Sequence, residues 1–127
     1  MLVAWNPATQ KEHWRTAGGG STGGGTVTTA GNLVFQVIND GRLMAYSADK
    51  GEKLLEVQTG LRGGMGPPIT FMLDGKQHVA LMGGTGVLSL NPNAAPPAAN
   101  APAPLPTARP RMLVFVLDGK GTLPVVN

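Results

Sequence analysis

The chain of 127 residues resembles itself at a fixed spacing, and this self-similarity most constrains the fold. Residues 2–7 (LVAWNP) resemble residues 43–48 (LMAYSA) at an offset of 41, and residues 42–46 (RLMAY) match residues 111–115 (RMLVF) at an offset of 69. A period of about 41 residues is typical of a four-stranded propeller blade and is too long for a leucine-rich or ankyrin unit.

The second offset exceeds the first by 28 residues, and one segment accounts for most of the excess. Residues 91–110 consist mainly of Ala, Pro, Asn and Thr. This composition favours an extended, solvated segment with some polyproline-II character. We interpret it as a linker insertion within a blade.

Short apolar runs separated by turn residues predict strands throughout the chain. Asp40-Gly41, Asp74-Gly75 and Asp118-Gly119 each supply the positive-φ residue that two-residue hairpins prefer. No segment with a helical period and helix start and stop signals competes. The predicted fold class is therefore all-β: a partial β-propeller of about two and a half four-stranded antiparallel blades. Four runs that form one meander lie at residues 26–29, 33–38, 43–47 and 54–58.

The blades predict the organisation of the chain. A propeller needs four to eight blades that cover one another's faces, so we expect the chain to belong to a longer protein and to pack against the rest of its propeller. The opening in the middle of a blade favours the same interpretation. The expected parts are a half blade at residues 1–17, a full blade at 24–60, the start of the next at 66–90, the insertion at 91–110, and closing strands at 111–127.

Composition excludes several classes of function. The absence of Cys excludes a disulfide framework, a thiolate metal site, a cysteine nucleophile and covalent haem attachment within the chain. The net charge of +3 comes from scattered Lys and Arg, which argues against nucleic-acid binding. No apolar run has the length of a membrane span, and the first residues lack a signal-peptide layout.

Individual side chains receive structural interpretations. Trp5, Tyr46 and Phe115 share one position of the repeat and are expected to pack blades together, as is Trp14. His13 and His78 lack metal-ligand spacing and are assigned structural or surface roles. Met44, Met65, Met72 and Met82 are expected to fill the core, and the hydroxyls of Ser21, Ser47 and Ser89 belong to no hydrolase motif.

Several motifs together resemble the C-terminal blades of pyrroloquinoline quinone (PQQ)-dependent alcohol dehydrogenases. They lie at residues 2–7, 11–15 (KEHWR), 24–36 (GGTVTTAGNLVFQ), 40–46, 51–54 and 74–80 (DGKQHVA). The resemblance implies an eight-bladed periplasmic propeller that holds the quinone with a calcium ion over its axis. It also implies an Asp general base, hydride transfer to the quinone and electron transfer to a cytochrome c. By the same resemblance, the base and the calcium ligands lie in other blades, so no catalytic or metal-binding residue is assigned here.

Two family motifs near the quinone fall inside the chain, and both depart from the pattern. The Trp that commonly precedes Gly-Gly-Thr is replaced at Thr22, and the Trp of an Ala-Gly-Trp-Gly turn is replaced at Thr85. The backbone N–H groups of Gly84 and Thr85 are expected to face the carboxylates of the cofactor, since Gly allows close approach. The predicted cofactor-binding residues are Gly84, Thr85 and Thr22.

The leading functional hypothesis is a C-terminal propeller portion of a quinoprotein dehydrogenase that supplies closing blades and one wall of the quinone pocket, without a complete catalytic set. The alternative is a non-catalytic propeller of the same repeat that acts as a protein-binding scaffold, which the two replaced Trp positions favour. The order of the motifs favours the enzyme, as does an end near Leu123-Pro124, where related quinohemoproteins pass to a cytochrome.

Overall fold

Every regular element in the described part of the chain is a β-strand. The computed structural model describes residues 1–17, 24–38, 40–61, 65–84 and 110–123, and these ranges contain no helix that is long and apolar enough to cross a membrane. The strands are β1 Leu2–Asn6, β2 Lys11–Thr16, β3 Gly25–Thr29, β4 Leu33–Val37, β5 Arg42–Ser47, β6 Lys53–Gln58, β7 Ile69–Leu73, β8 Lys76–Gly83 and β9 Arg111–Val116.

The strands form three antiparallel sheets in which neighbours in sequence are neighbours in space. The first sheet is β1-β2, the middle sheet is β3-β4-β5-β6, and the third sheet is β7-β8-β9. The middle sheet is the four-stranded meander that the apolar runs predict. The all-β fold class is confirmed.

The Asp-Gly dipeptides adopt the backbone that the hairpin prediction requires. Asp74 and Gly75 connect β7 to β8 with φ angles of 51° and 72°, and positive φ at both central residues is the requirement of a type I′ turn. Gly41 has a φ of 89°, and Asp118 has a φ of 63°. The turns at Gly41 and at Asp74-Gly75 each join two consecutive strands, whereas Asp118 follows β9, after which the described residues contain no further strand.

The main hydrophobic core lies between the middle and third sheets. Alternate residues of a strand point to opposite faces, so one face of the middle sheet presents Phe35, Val37, Leu43 and Ala45 to the third sheet, which presents Val79, Leu81 and Leu113. The segment between β6 and β7 adds Leu61 and Met65 to this core.

A second cluster joins the first sheet to the middle sheet. Val34, Ile38, Met44 and Tyr46 of the middle unit pack with partly buried Leu2, Trp14 and Ala48. Burial raises the pKa of the Tyr46 hydroxyl. The two clusters use opposite faces of the middle sheet, so the three sheets are stacked in chain order.

One tryptophan fixes the joint between the first and middle sheets. The indole Nε1 of Trp14 donates a hydrogen bond of 2.8 Å to the carbonyl oxygen of Ala48. Its ring lies against Gly51, which has a φ of 72°, and a Cβ there would stand 2.6 Å from two indole carbons. The ring of His13 adds a contact of 2.9 Å between Nε2 and the carbonyl oxygen of Asp49. Only glycine fits under this indole.

The burial of the aromatic and methionine side chains tests the packing roles that the sequence predicts. Tyr46 and Met44 are buried, and so is Met65, while Trp14 and Phe115 pack against the clusters as expected. The role of Trp5 stays a prediction: its side chain is 61% exposed on a face that no described sheet covers. Met72 and Met82 are exposed and do not fill the core.

Candidate functional site

The strand ends that flank the connections between sheets lie at one end of the stack, which we call the loop end. In the middle sheet, Gly25 at the start of β3 pairs with Val37 at the end of β4, and Arg42 at the start of β5 pairs with Gln58 at the end of β6. The corresponding end of the third sheet is marked by the pair of Gly83 and Arg111. The end of β6 and the start of β7, which flank the connection from the middle sheet to the third sheet, therefore both lie at the loop end.

A close backbone contact shapes the loop end of the middle sheet. The Thr59 N–H donates to the carbonyl oxygen of Gly41 at 3.0 Å, and the Thr59 hydroxyl bonds to the same oxygen. The hydroxyl in turn accepts the Leu61 N–H at 3.2 Å. A Cβ at Gly41 would collide with the Leu61 carbonyl, so the positive-φ glycine of the turn also makes room for the next crossing. Sequence reasoning missed Thr59, which carries no recognisable motif.

Met65 fills the space between the middle and third sheets at the loop end. A Cβ added to Gly24 would lie 2.9 Å from the Met65 Cβ, and one added to Gly83 would collide with the Met65 sulfur. The backbone N–H of the adjacent Gly66 donates to the carbonyl oxygen of Met82 at 2.8 Å. The absence of side chains at Gly24 and Gly83 therefore makes room for the Met65 side chain. Because Met65 occupies the space beside Gly83, no other group can approach Gly83 from that side.

The structure describes one of the three predicted cofactor-binding residues. Gly84 directly follows β8 at the loop end, is buried, and has a φ of 97°. This conformation suits glycine, and without a Cβ no side chain of its own shields the N–H of Gly84. Thr22 and Thr85 lie outside the described residues, so the structure does not bring the three together.

A charged cluster borders a cleft between the first and middle sheets. Arg42 donates to Asp40 at 2.8 Å and to Glu56 at 3.1 Å, and Lys53 donates to Glu56 at 2.6 Å. The hydrogen bond from Lys53, followed by that from Arg42, lowers the pKa of the Glu56 carboxyl. The cleft of about 410 Å³ is lined by Thr16, Ala17, Ile38, Arg42, Met44, Tyr46 and Lys53.

The cluster pairs two acids with two cations, which limits its chemistry. The pKa of the Glu56 carboxyl is lowered by Lys53 and Arg42, so Glu56 lacks the raised pKa that a general acid requires. Among the residues that the structure describes, no group of three His, Asp or Glu side chains converges to hold a metal ion. The described charged side chains at this end of the stack therefore form an ion-pair network.

Comparison with known proteins connects this arrangement to one family. The family model described as "PQQ: Glucose/ethanol/alcohol dehydrogenase, beta-propeller domain" matches residues 3–79. Quinohemoprotein alcohol dehydrogenase ADH IIB of Pseudomonas putida is 44% identical over 97% of this chain, and 1-butanol dehydrogenase (cytochrome c) of Thauera butanivorans is 44% identical over 67% of it. The chain spans 17% and 12% of the lengths of these two relatives.

A solved structure shows the same fold. The crystal structure of quinohemoprotein alcohol dehydrogenase from Comamonas testosteroni matches with a TM-score of 0.59 and 49% identity, over 65% of this chain and 12% of that one. The likeness extends to both sequence and sheet arrangement. With its stacked antiparallel sheets and the family match across residues 3–79, the chain belongs to the PQQ-dependent alcohol dehydrogenase family of β-propellers.

Proposed function

We propose that this chain forms the C-terminal sector of an eight-bladed propeller in a PQQ-dependent dehydrogenase that oxidises alcohols or related substrates. In this proposal the half blade is residues 1–17, the full blade is 24–60, and the next blade starts at 66–90 and closes with 111–127. Residues 91–110 form an insertion within that blade. The observation that carries the proposal is the position of Gly84, buried with positive φ at the loop end of a family-type sheet.

The proposed role of the chain is to supply one wall of the quinone pocket. Gly84 and Thr85 would donate backbone N–H groups to the cofactor carboxylates, and Thr22 would stand where the family has an aromatic surface. PQQ held there would supply the hydride acceptor for alcohol oxidation. Calcium and the general base would come from other blades, which agrees with the paired state of Asp40 and Glu56 in this chain.

The name of one relative supports a proposal for the electron acceptor. A relative that shares 44% identity is named 1-butanol dehydrogenase (cytochrome c). We propose a cytochrome c as the acceptor for this protein too, and a periplasmic location.

A chimera tests the proposal. The stretch of the Comamonas testosteroni enzyme that aligns with this chain is replaced by this chain, and PQQ binding is followed by absorbance and alcohol oxidation by dye reduction. We expect the chimera to bind PQQ and to oxidise alcohol. A folded chimera that binds no PQQ in the presence of calcium would overturn the proposal.

A matched pair of substitutions tests the role of Gly84. Gly84→Ala keeps the N–H but disfavours the φ of 97° that directs it, so PQQ binding should weaken by roughly tenfold, as for the loss of one hydrogen bond of about 1.4 kcal/mol. The control is Gly75→Ala, because Gly75 also has positive φ but lies in the turn at the opposite end of β8. Equal PQQ affinity of the two variants would contradict the assignment.

The scaffold hypothesis keeps one specific support, the replacement of Trp by Thr at positions 22 and 85. Aromatic packing contributes about 0.5–1.5 kcal/mol per ring beyond area burial, so the two replacements weaken a quinone site. A chimera that folds, binds no PQQ and retains partner proteins on its loops would favour the scaffold.

A further inference from the structure

The side chain of Met65 lies between two backbone segments that border the proposed cofactor-binding positions. Gly24 lies two residues after Thr22, and Gly83 directly precedes Gly84. A Cβ added to Gly24 would stand 2.9 Å from the Met65 Cβ, and one added to Gly83 would collide with the Met65 sulfur and stand 3.0 Å from its terminal methyl carbon. The base of the Met65 side chain thus lies against one segment, and its tip lies against the other.

Main-chain hydrogen bonds fix Met65 to the third sheet and Gly24 to the middle sheet. The N–H of Gly66, the residue after Met65, donates to the carbonyl oxygen of Met82 at 2.8 Å, and the Gly24 N–H donates to the carbonyl oxygen of Val37 at 2.8 Å. The Met65 side chain, which is 8% exposed, therefore spans the joint between the two sheets at the loop end. Because protein interiors are close-packed, its volume sets how closely the two sheets approach each other there.

The contact at Gly83 bears directly on the Gly84 N–H. The carbonyl group of Gly83 and the N–H of Gly84 belong to one planar peptide unit, so a group that restricts the Gly83 Cα also restricts the direction of that N–H. Glycine has wide conformational freedom, and two glycines in succession give this peptide more freedom than most. The Met65 sulfur occupies the space on the Cβ side of Gly83, which removes part of that freedom.

Met44 offers a comparison, because it is a methionine of similar burial, 5% exposed. It packs with side chains of the cluster on the opposite face of the middle sheet, where the Tyr46 hydroxyl donates to its sulfur at 3.3 Å. Met65 differs from it in lying against two glycine backbones, both next to proposed cofactor-binding positions. The two methionines therefore separate a general packing role from an effect on the pocket.

We propose that Met65 is a positioning residue of the quinone site: its thioether side chain restrains the peptide between Gly83 and Gly84 and so directs the Gly84 N–H toward the cofactor. The inference rests on the proposed function, since it concerns the same pocket wall. In this role Met65 does not contact PQQ and acts through the backbone of its neighbours.

The chimera with the Comamonas testosteroni enzyme provides the test, because it supplies the rest of the propeller. PQQ dissociation constants are measured by absorbance titration of the calcium-loaded apoprotein, and urea midpoints record the stability of each variant. Met65→Ala should weaken PQQ binding roughly tenfold, as expected when one hydrogen bond is no longer directed at its acceptor. Met65→Leu is a volume-conserving change and should stay within about twofold of the unsubstituted chimera.

Met44→Ala is the matched control. Both alanine variants remove a buried methionine and should lower the urea midpoint, but Met44→Ala should leave the PQQ affinity within about twofold of the unsubstituted chimera. A double-mutant cycle then tests whether Met65 acts through Gly84. Met65→Ala combined with Gly84→Ala should bind PQQ about as weakly as Gly84→Ala alone, because no directed N–H is left to disturb.

Four results would overturn the inference: unchanged PQQ affinity in folded Met65→Ala, equal weakening by Met44→Ala, equal weakening by Met65→Leu, or a cycle in which the two losses multiply to roughly a hundredfold. If Met65→Ala does not fold, Met65→Val removes less of the side chain and takes its place with the same expected direction. An unsubstituted chimera that binds no PQQ would overturn the proposed function itself. Each of the four results, obtained with an unsubstituted chimera that binds PQQ, counts against the role of Met65 alone.

Discussion

The substitution Gly51→Ala tests how the first sheet is held against the middle sheet. Gly51 has a φ of 72°, and a Cβ at this position would stand 2.6 Å from the Trp14 indole. The left-handed conformation costs a non-glycine residue about 1–2 kcal/mol. The indole must also withdraw by about 1 Å, which forfeits a quarter to a half of its contact energy.

The withdrawal has a second cost at the hydrogen bond from Trp14 to Ala48. This bond is 2.8 Å long and contributes about 0.5–1.5 kcal/mol. The expected loss of unfolding free energy for Gly51→Ala is therefore about 3 kcal/mol. The assay is urea unfolding, followed by far-UV circular dichroism and by tryptophan emission, since coincident transitions justify a two-state treatment.

Gly75→Ala is the matched control, because Gly75 has the same φ of 72° but nothing lies within 4 Å of its added Cβ. It carries the backbone strain alone, about 1–2 kcal/mol. The difference between the two variants therefore isolates the tryptophan contact. Losses that agree within about 0.5 kcal/mol would refute the reasoning.

Three further substitutions test other parts of the fold by urea unfolding. Leu81→Ala removes a buried core side chain and should cost about 2–5 kcal/mol; the exposed neighbour Met82→Ala should stay within about 0.5 kcal/mol of wild type, and a similar loss in both would contradict the assigned core. Thr59→Val leaves the Leu61 N–H without its acceptor and should cost about 1–3 kcal/mol; an unchanged midpoint would contradict the role of Thr59. Because its partners lower the pKa of Glu56 below 4.5, its contribution is present above that pH and lost as the pH falls through the folded-state pKa; the stability difference between wild type and Glu56→Gln should shrink from pH 7 to about pH 3, and a constant difference would exclude this linkage.

The strands and turns could be predicted from the sequence because each is determined by a few neighbouring residues. The apolar runs of the middle sheet and the Asp-Gly pairs fix strand and hairpin geometry within a few residues. The identity of the family also follows from contiguous motifs. These features need no information about distant parts of the chain.

Sequence reasoning fails where burial depends on what covers a face. Trp5 and Tyr46 match in the 41-residue offset, yet one is exposed and the other buried, because a sheet lies only against the second. The buried state of Met65 was predicted, but its site was not, because the site is formed by two glycines far apart in sequence, Gly24 and Gly83.

The central claim is that three antiparallel sheets stack in chain order through opposite faces of the middle sheet. Nuclear Overhauser contacts in the labelled chain test it most directly. The account predicts contacts between Tyr46 and Leu2 across one joint, and between Leu43 or Val37 and Leu81 or Leu113 across the other. Contacts that place β6 beside β7 in one continuous sheet, or that put Tyr46 and Leu43 on the same neighbour, would contradict it.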